Sequence, residues 1–166
     1  MNQLIRKARE GDPEAFIQLM DAQKQAMYQV ARGYFSNPMD VEDMLSETVL
    51  ACWERLHTLR RPEYFKTWLT RILINNCNDL IRSRRRLVPL EEVPEPSETL
   101  SEDDLPGLLD HLDRQTRLIL ILHYSQGYKT REIAKMLGLP HGTVTSKLKR
   151  GRDKLAKRLA EEEVHR

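Results

Sequence analysis

Between His141 and Arg158 the chain carries Lys147, Lys149, Arg150, Arg152, Lys154, Lys157 and Arg158 against one acid, Asp153. Cations at that density in one helical segment suit ion pairing with a polyanion, and the phosphate backbone of DNA is one that a helix can follow. Ahead of them runs YKTREIAKMLGLP, which reads as a short helix capped by Thr130 and ended at Gly138, with a new helix starting at or near Pro140. Two helices around so tight a turn, the second of them basic, form a helix-turn-helix. Ile133, Ala134 and Leu137 are expected to pack on Val144 and Leu148, with Ala134 small where the two backbones approach. That leaves His141, Thr143, Thr145, Ser146, Lys147, Lys149 and Arg150 outside the packed face or at its margins. The first of these would reach base edges in a duplex groove, and the later Lys and Arg would meet phosphates, which position a protein without reading sequence.

Two further clusters carry chemistry. Tyr64, Phe65 and Trp68 stand among Lys66, Arg71, Asn75, Asn76, Asn78 and Arg82, followed by Arg84-Arg85-Arg86. Aromatic platforms mixed with cations and amides suit unstacked single-stranded bases. The same helical spacing equally suits a core in which Phe65 and Trp68 are simply buried. The other cluster is acidic: Asp40, Glu42, Asp43 and Glu47 open an expected helix. Negative charge is favoured there by the helix macrodipole, and the row also reads as a protein-binding face. Catalytic combinations are not evident. His57, His111, His123, His141 and His165 have no metal-ligand spacing with cysteines or carboxylates, no glycine loop cradles a phosphate, and no nucleophile is accompanied by a base. A nucleic-acid enzyme such as a recombinase is therefore not expected, nor is a cofactor, a metal or a small-molecule substrate.

The elements that must position these residues are helical. Of 166 residues 31% are charged and 6% aromatic, only seven are glycine, and Leu, Arg, Glu and Ala dominate, so an all-α chain is expected. No apolar run reaches the length of a membrane span. The N-terminus MNQLIRKAREGDPEAF turns acidic too early for a signal peptide, so a soluble cytoplasmic protein without direct membrane insertion is expected. Cys52 and Cys77 are too few for a disulfide framework and read as two buried thiols.

Charge divides the chain. Residues 1–86 carry 14 basic and 11 acidic side chains, residues 87–113 carry nine acids and no base, and residues 114–166 carry 13 bases and five acids. Two basic bodies joined by an acidic connector are the simplest reading. The connector, Leu87 to Gly107, holds four prolines and seven acids and lacks the apolar density to fold alone. It reads as a flexible linker whose end begins a helix near Asp104; it is merely solvated, or its acidity keeps the two basic bodies from sticking to it non-productively, or it mimics nucleic acid. The organisation is thus 1–86, a helical domain; 87–107, the linker; and 108–166, the helix-turn-helix domain.

In the first domain four helices are expected: Asn2–Glu10; Pro13, capped by Asp12, to about Tyr34; a third from near Asp40, with the stripe Val41, Met44, Leu45, Thr48, Cys52 and Leu56; and a fourth from about Glu63 to Arg84, burying Phe65, Leu69, Ile72, Leu73, Cys77 and Leu80. Ser36-Asn37-Pro38 reads as the stop of the second. The last domain opens with an apolar helix from about Arg114; Leu118–Leu122 alone would pass for a buried strand, but its flanks are helical and it has no partner strand.

These segments, in this order, resemble the bacterial RNA polymerase sigma factors of the extracytoplasmic-function type. DVEDMLSETVLACWERL resembles the segment that binds core polymerase, with Asp40, Glu42, Asp43, Glu47 and Trp53 at matching positions and Ser46 where glutamine is common. FKTWLTRILINNCNDLIRSRRR resembles the segment that opens the promoter and reads the −10 element, with Trp68, Arg71, Asn75, Asp79 and Arg82 matching. LDRQTRLILILHYSQGYKTREIAKMLGLPHGTVTSKLKRGRDKL resembles the −35-binding domain; Gly142-Thr143-Val144 and Ser146 match, and Pro140 replaces the usual serine cap. The resemblance implies a promoter-specificity subunit that partners core RNA polymerase and promoter DNA, duplex and non-template strand, and that is controlled by an anti-sigma factor. It implies −10 single-strand contacts from Lys66, Trp68, Arg71, Asn75, Asn78 and Arg82, and −35 duplex contacts from the helix beginning at His141. Were the acidic helix and the Trp68 helix ordinary packing, the same helix-turn-helix would fit a stand-alone transcription regulator that does not bind polymerase.

Overall fold

The computed structural model describes residues 1–87 and 109–165. They fall into two compact units, each with its own core. Every regular element among the described residues is helical, the region 118–122 included, as expected from its flanks.

The first unit has four helices: α1 (Asn2–Arg9), α2 (Pro13–Tyr34), α3 (Pro38–Arg55) and α4 (Phe65–Leu87). Gly11, at φ 93°, turns the chain between α1 and α2 in a conformation that glycine adopts without steric cost. The Asp12 carboxylate then accepts the N–H groups of Glu14 (3.0 Å) and Ala15 (3.2 Å), and Pro13 occupies the first helical position. Ser36-Asn37-Pro38 does more than end α2. The Asn37 side chain accepts the Met39 N–H at 3.0 Å, so α3 begins at Pro38, earlier than the start near Asp40 expected from sequence. Proline forfeits nothing there, because an N–H at that position has no intrahelical partner.

α3 and α4 are joined by two 3₁₀ turns, Leu56–Thr58 and Pro62–Tyr64. Leu19, Ala31, Val41, Cys52, Leu56, Phe65, Leu69, Leu73, Ile74 and Cys77 are almost completely enclosed. Each large apolar side chain so buried contributes about 1.5–3 kcal/mol. Leu80, expected in this core, is only half-buried, while Ile74 joins it. Thr48, counted from its spacing among the apolar residues, is a fully buried polar group with both functions used: its hydroxyl donates to Met44 O (2.7 Å) and accepts from Asn76 Nδ2 (3.1 Å), tying α3 to α4. Both cysteines are buried and neither forms a disulfide, and burial pushes the Cys52 thiol pKa up to about 12.

The second unit comprises α5 (Arg114–Leu120), a π-helical turn (Ile121–Ser125), α6 (Thr130–Leu137) and α7 (His141–Val164). Leu118 to Leu122 are buried together with Leu109, Leu112, Ile133 and Val144. Gly127, at φ 77°, reverses the chain, and the Tyr128 N–H returns to Leu122 O at 2.9 Å. The close approach expected at Ala134 has a counterpart on α7. Gly151 is buried where α7 crosses α5, and a Cβ there would lie 2.6 Å from Thr116 Cγ2 and 3.1 Å from Leu120 Cδ1.

The acidic linker expected at 87–107 and the helix start near Asp104 lie outside the described residues, apart from Leu87, which is the last residue of α4 rather than the first of a linker.

Candidate nucleic-acid interface

In the second unit the turn between α6 and α7 is built as the sequence leads one to expect at one end and differently at the other. Gly138 sits in the left-handed region (φ 65°, ψ 36°), and the Leu139 N–H reaches Ala134 O at 2.9 Å. Thr130, however, is not the cap of α6. The cap position is Lys129, whose backbone N–H donates to the Glu132 carboxylate at 2.7 Å. Glutamate three residues into a helix commonly reaches back in this way, so Glu132 satisfies the N–H of the cap residue and fixes the start of α6 one residue before Thr130. Thr130 is released for another partner: its Oγ1 lies 2.9 Å from His141 Nε2, joining the start of α6 to the start of α7. Pro140 occupies the α7 cap position without a side-chain bond, and its carbonyl accepts the N–H groups of Thr143 (3.1 Å) and Val144 (3.2 Å).

At about 100° per residue, Ser146 and Lys149 lie opposite the buried side of α7 marked by Val144 and Gly151, and exposed Arg150 about 110° from it. His141 and Thr145 are exposed on one flank; the Thr145 hydroxyl donates to Gly142 O at 3.0 Å. Thr143 and Lys147 are half-buried on the other. Lys147 is turned toward α5, with its Nζ 3.4 Å from Asp113 Oδ2. Asp113 also caps α5, accepting the Thr116 N–H (3.1 Å) and the Thr116 hydroxyl (2.7 Å). Burial alone would raise the Asp113 pKa; the Thr116 hydrogen bonds and the Lys147 charge outweigh it and hold the carboxyl below its usual range. Asp113, Thr116, Lys147, Arg150, Gly151 and Lys154 line a shallow cavity of about 70 Å³. Of the seven expected duplex-binding residues, five are thus exposed on α7, Thr143 is half-buried, and Lys147 is drawn toward Asp113.

In the first unit α4 gathers five of its six expected residues. Trp68, Arg71, Asn75, Asn78 and Arg82 fall within about 80° of one another around the helix, whereas Lys66 stands about 140° from Arg71. Arg71, Asn75 and Arg82 are exposed; Trp68 and Asn78 are half-buried, the Trp68 ring lying 6.1 Å from that of Phe65. Trp68 is therefore neither fully core nor fully free, its indole being partly covered beside Phe65 and partly accessible. Arg82 also pairs with Asp79 at 3.3 Å.

On α3, Glu42, Asp43 and Glu47 are exposed. Asp40 is not equivalent to them. Its side chain is only 14% exposed and is held by Arg84 through two hydrogen bonds, Nη2 to Oδ1 at 2.6 Å and Nη1 to Oδ2 at 2.8 Å. Leu50, which spacing arguments pass over, is 58% exposed beside the acids, and Trp53 is 42% exposed with its ring edge-on to Phe16 at 4.9 Å. Leu50 falls outside the apolar stripe of α3, and that misfit is the signal by which such a residue is found.

Residues 19–87 match the model of sigma-70 region 2, and residues 102–155 match that of sigma-70 region 4. The RNA polymerase sigma factor NccH of Alcaligenes xylosoxydans xylosoxydans is 30% identical over 177 residues, covering 97% of this chain and 95% of NccH. Among solved structures, CnrH in complex with the cytosolic domain of CnrY matches with a TM-score of 0.68 at 30% identity, over 96% of this chain and 97% of CnrH. The sigma factor RpoE of Bartonella quintana, in complex with the anti-sigma factor NepR, matches with a TM-score of 0.70 at 25% identity, over 87% of this chain and 96% of RpoE. An all-α chain with a region 2 unit followed by a helix-turn-helix region 4 unit, and relatives of matching length, belongs to the RNA polymerase sigma factors of the extracytoplasmic-function type.

Proposed function

We propose that the two surfaces divide the work of promoter recognition as follows. The chain is the promoter-specificity subunit of RNA polymerase, and its first unit docks on the core enzyme through Glu42, Asp43 and Glu47, with Leu50 and Trp53 supplying the apolar part of that face. Trp68, Arg71, Asn75, Asn78 and Arg82 hold the non-template strand at the −10 element. Extruding a base costs a few kcal/mol, and a pre-formed row of aromatic, amide and cation offsets it. The front of α7 lies in the major groove at −35, where His141, Thr143, Thr145 and Ser146 face base edges and Lys149 and Arg150 face phosphates.

The observation that carries this reading is the presence, in one chain, of a region 2 unit with an accessible amide–cation–indole row and a region 4 unit with an exposed basic recognition helix. Strand opening then draws on binding energy, without nucleotide hydrolysis by this chain. Because RpoE was solved with an anti-sigma factor and CnrH with CnrY, a comparable partner for this chain belongs to the proposal, as does action in the cytoplasm. Run-off transcription with purified core polymerase and a promoter library tests it. Initiation that depends on the added chain is the expected result; none with any cognate core enzyme would overturn it.

A further inference from the structure

Resting on the promoter-binding reading of α4, we propose that Asp40 and Arg84 form a positioning strut that sets where the last turns of α4 lie, and that Asp40 serves DNA binding through Arg84 rather than polymerase docking. The deepest residue toward the end of α4 is Cys77; from Arg82 to Leu87 every side chain is exposed. This stretch is about 9 Å of helix with no apolar anchor. A helix end without packing frays, because its last carbonyls lack partners and its stability comes mostly from burial. Yet this end carries Arg82, Arg85 and Arg86, beyond Arg71, Asn75 and Asn78 of the single-strand row.

Arg84 ties it down. Its guanidinium meets Asp40, 44 residues away, at 2.6 and 2.8 Å in a two-pronged pair, and lies 5.9 Å from the centroid of the Phe35 ring. Most surface ion pairs hold little; a forked arginine–carboxylate pair with one partner largely covered is the kind that does. Asp40 stands in the first turn of α3, fixed by the Asn37 cap. The strut therefore references the end of α4 to the capped first turn of α3. The cost is that Asp40 no longer presents its carboxylate to solvent as Glu42, Asp43 and Glu47 do.

The test uses the full chain with core polymerase and the variants Asp40→Asn, Arg84→Gln, the two combined, and Arg84→Lys. Affinity for core enzyme and affinity of the holoenzyme for a template with a pre-opened −10 bubble are measured separately. Each single variant is expected to weaken bubble binding about three- to tenfold, the double no more than either single, and core affinity to stay within about twofold. Arg84→Lys is expected to fall with Arg84→Gln, because an ammonium cannot make the fork. Additive losses, or a lysine variant equal to the native chain, would mean that Arg84 acts on its own as a charge and would overturn the strut. So would an Asp40→Asn variant that weakens core binding and spares the bubble, or one that binds the bubble more tightly. If the unaltered chain gives no polymerase-dependent bubble binding, the sigma reading falls and takes the strut with it; the other adverse outcomes remove the strut alone.

Discussion

Gly151 of α7 lies directly against Thr116 of α5, so closely that a methyl group on Gly151 would sit 2.6 Å from Thr116 Cγ2. Alanine in a helix interior is ordinarily favoured over glycine by about 0.5–1 kcal/mol. Here overpacking, at about 1–3 kcal/mol, exceeds that gain. Gly151→Ala is therefore expected to lower the melting temperature of the helix-turn-helix unit. Adding Thr116→Ser removes the clashing methyl but keeps the hydroxyl that donates to Asp113, and the double variant is expected to melt at or above the native temperature. Thermal melts of the full chain check this; a double variant no better than Gly151→Ala would place the strain elsewhere.

Asp113 brings a pH dependence. Its carboxyl is held below the usual range, so it favours folding above the value it has in the unfolded chain, about 3.9. That contribution is lost as pH falls through the lower, folded value. Asp113→Ala is expected to cost about 1 kcal/mol at neutral pH through loss of the cap, and the gap to the native chain should close progressively below about pH 4. Paired melts of the two proteins from pH 7 to pH 2.5 read it directly, and a gap that stays constant would contradict the assignment.

On α7, Arg150 and Lys147 differ in accessibility, and the difference has a salt signature. Each phosphate contact to duplex DNA contributes about −0.9 to the slope of log affinity against log salt. Arg150→Ala is expected to flatten the slope by about that amount and to weaken all sequences alike. Lys147→Ala should flatten it less, since that ammonium already lies beside Asp113 at 3.4 Å. Fluorescence anisotropy with a −35 duplex across a potassium chloride series gives both slopes. Equal slopes for native and Arg150→Ala proteins would rule out the phosphate contact.

Charge reversal at Asp43 or Glu47 is expected to weaken association with core polymerase, chiefly by slowing it, while leaving the melting temperature within about 1 °C, because exposed substitutions away from packing cost little. Competition against the native chain for core enzyme measures the first and calorimetry the second. Undiminished competition by both variants would show that this face does not dock.

Much of this was legible in the residues, and the failures have physical causes. Asp12 and Gly138 act as their types foretell, because a cap and a left-handed turn are decided within four residues of chain. Local signals misled where two residues compete for one role. Thr130 is a good cap on its own, but Glu132 reaches the Lys129 N–H, and the cap position falls on Lys129. Asn37-Pro38 reads as a stop for α2 and is also the start of α3. What spacing cannot reveal is pairing across the fold. Asp40 looks identical to Glu42 and Asp43 until Arg84 is brought against it, and Thr48 passes for an apolar residue until Asn76 meets it. Lys147 shares its charge with Lys149, but only one of them has a carboxylate from another helix beside it.

The enclosed thiol of Cys52 makes the first unit its own stopwatch. At about 12, its pKa leaves only a trace of thiolate at neutral pH, and no solvent reaches the sulfur while the helices stay closed. Alkylation of Cys52 must wait for the first unit to open, so the rate at which an iodoacetamide label enters at Cys52 reads the population of the opened promoter-binding unit, and its slowing reads whatever clamps that unit shut.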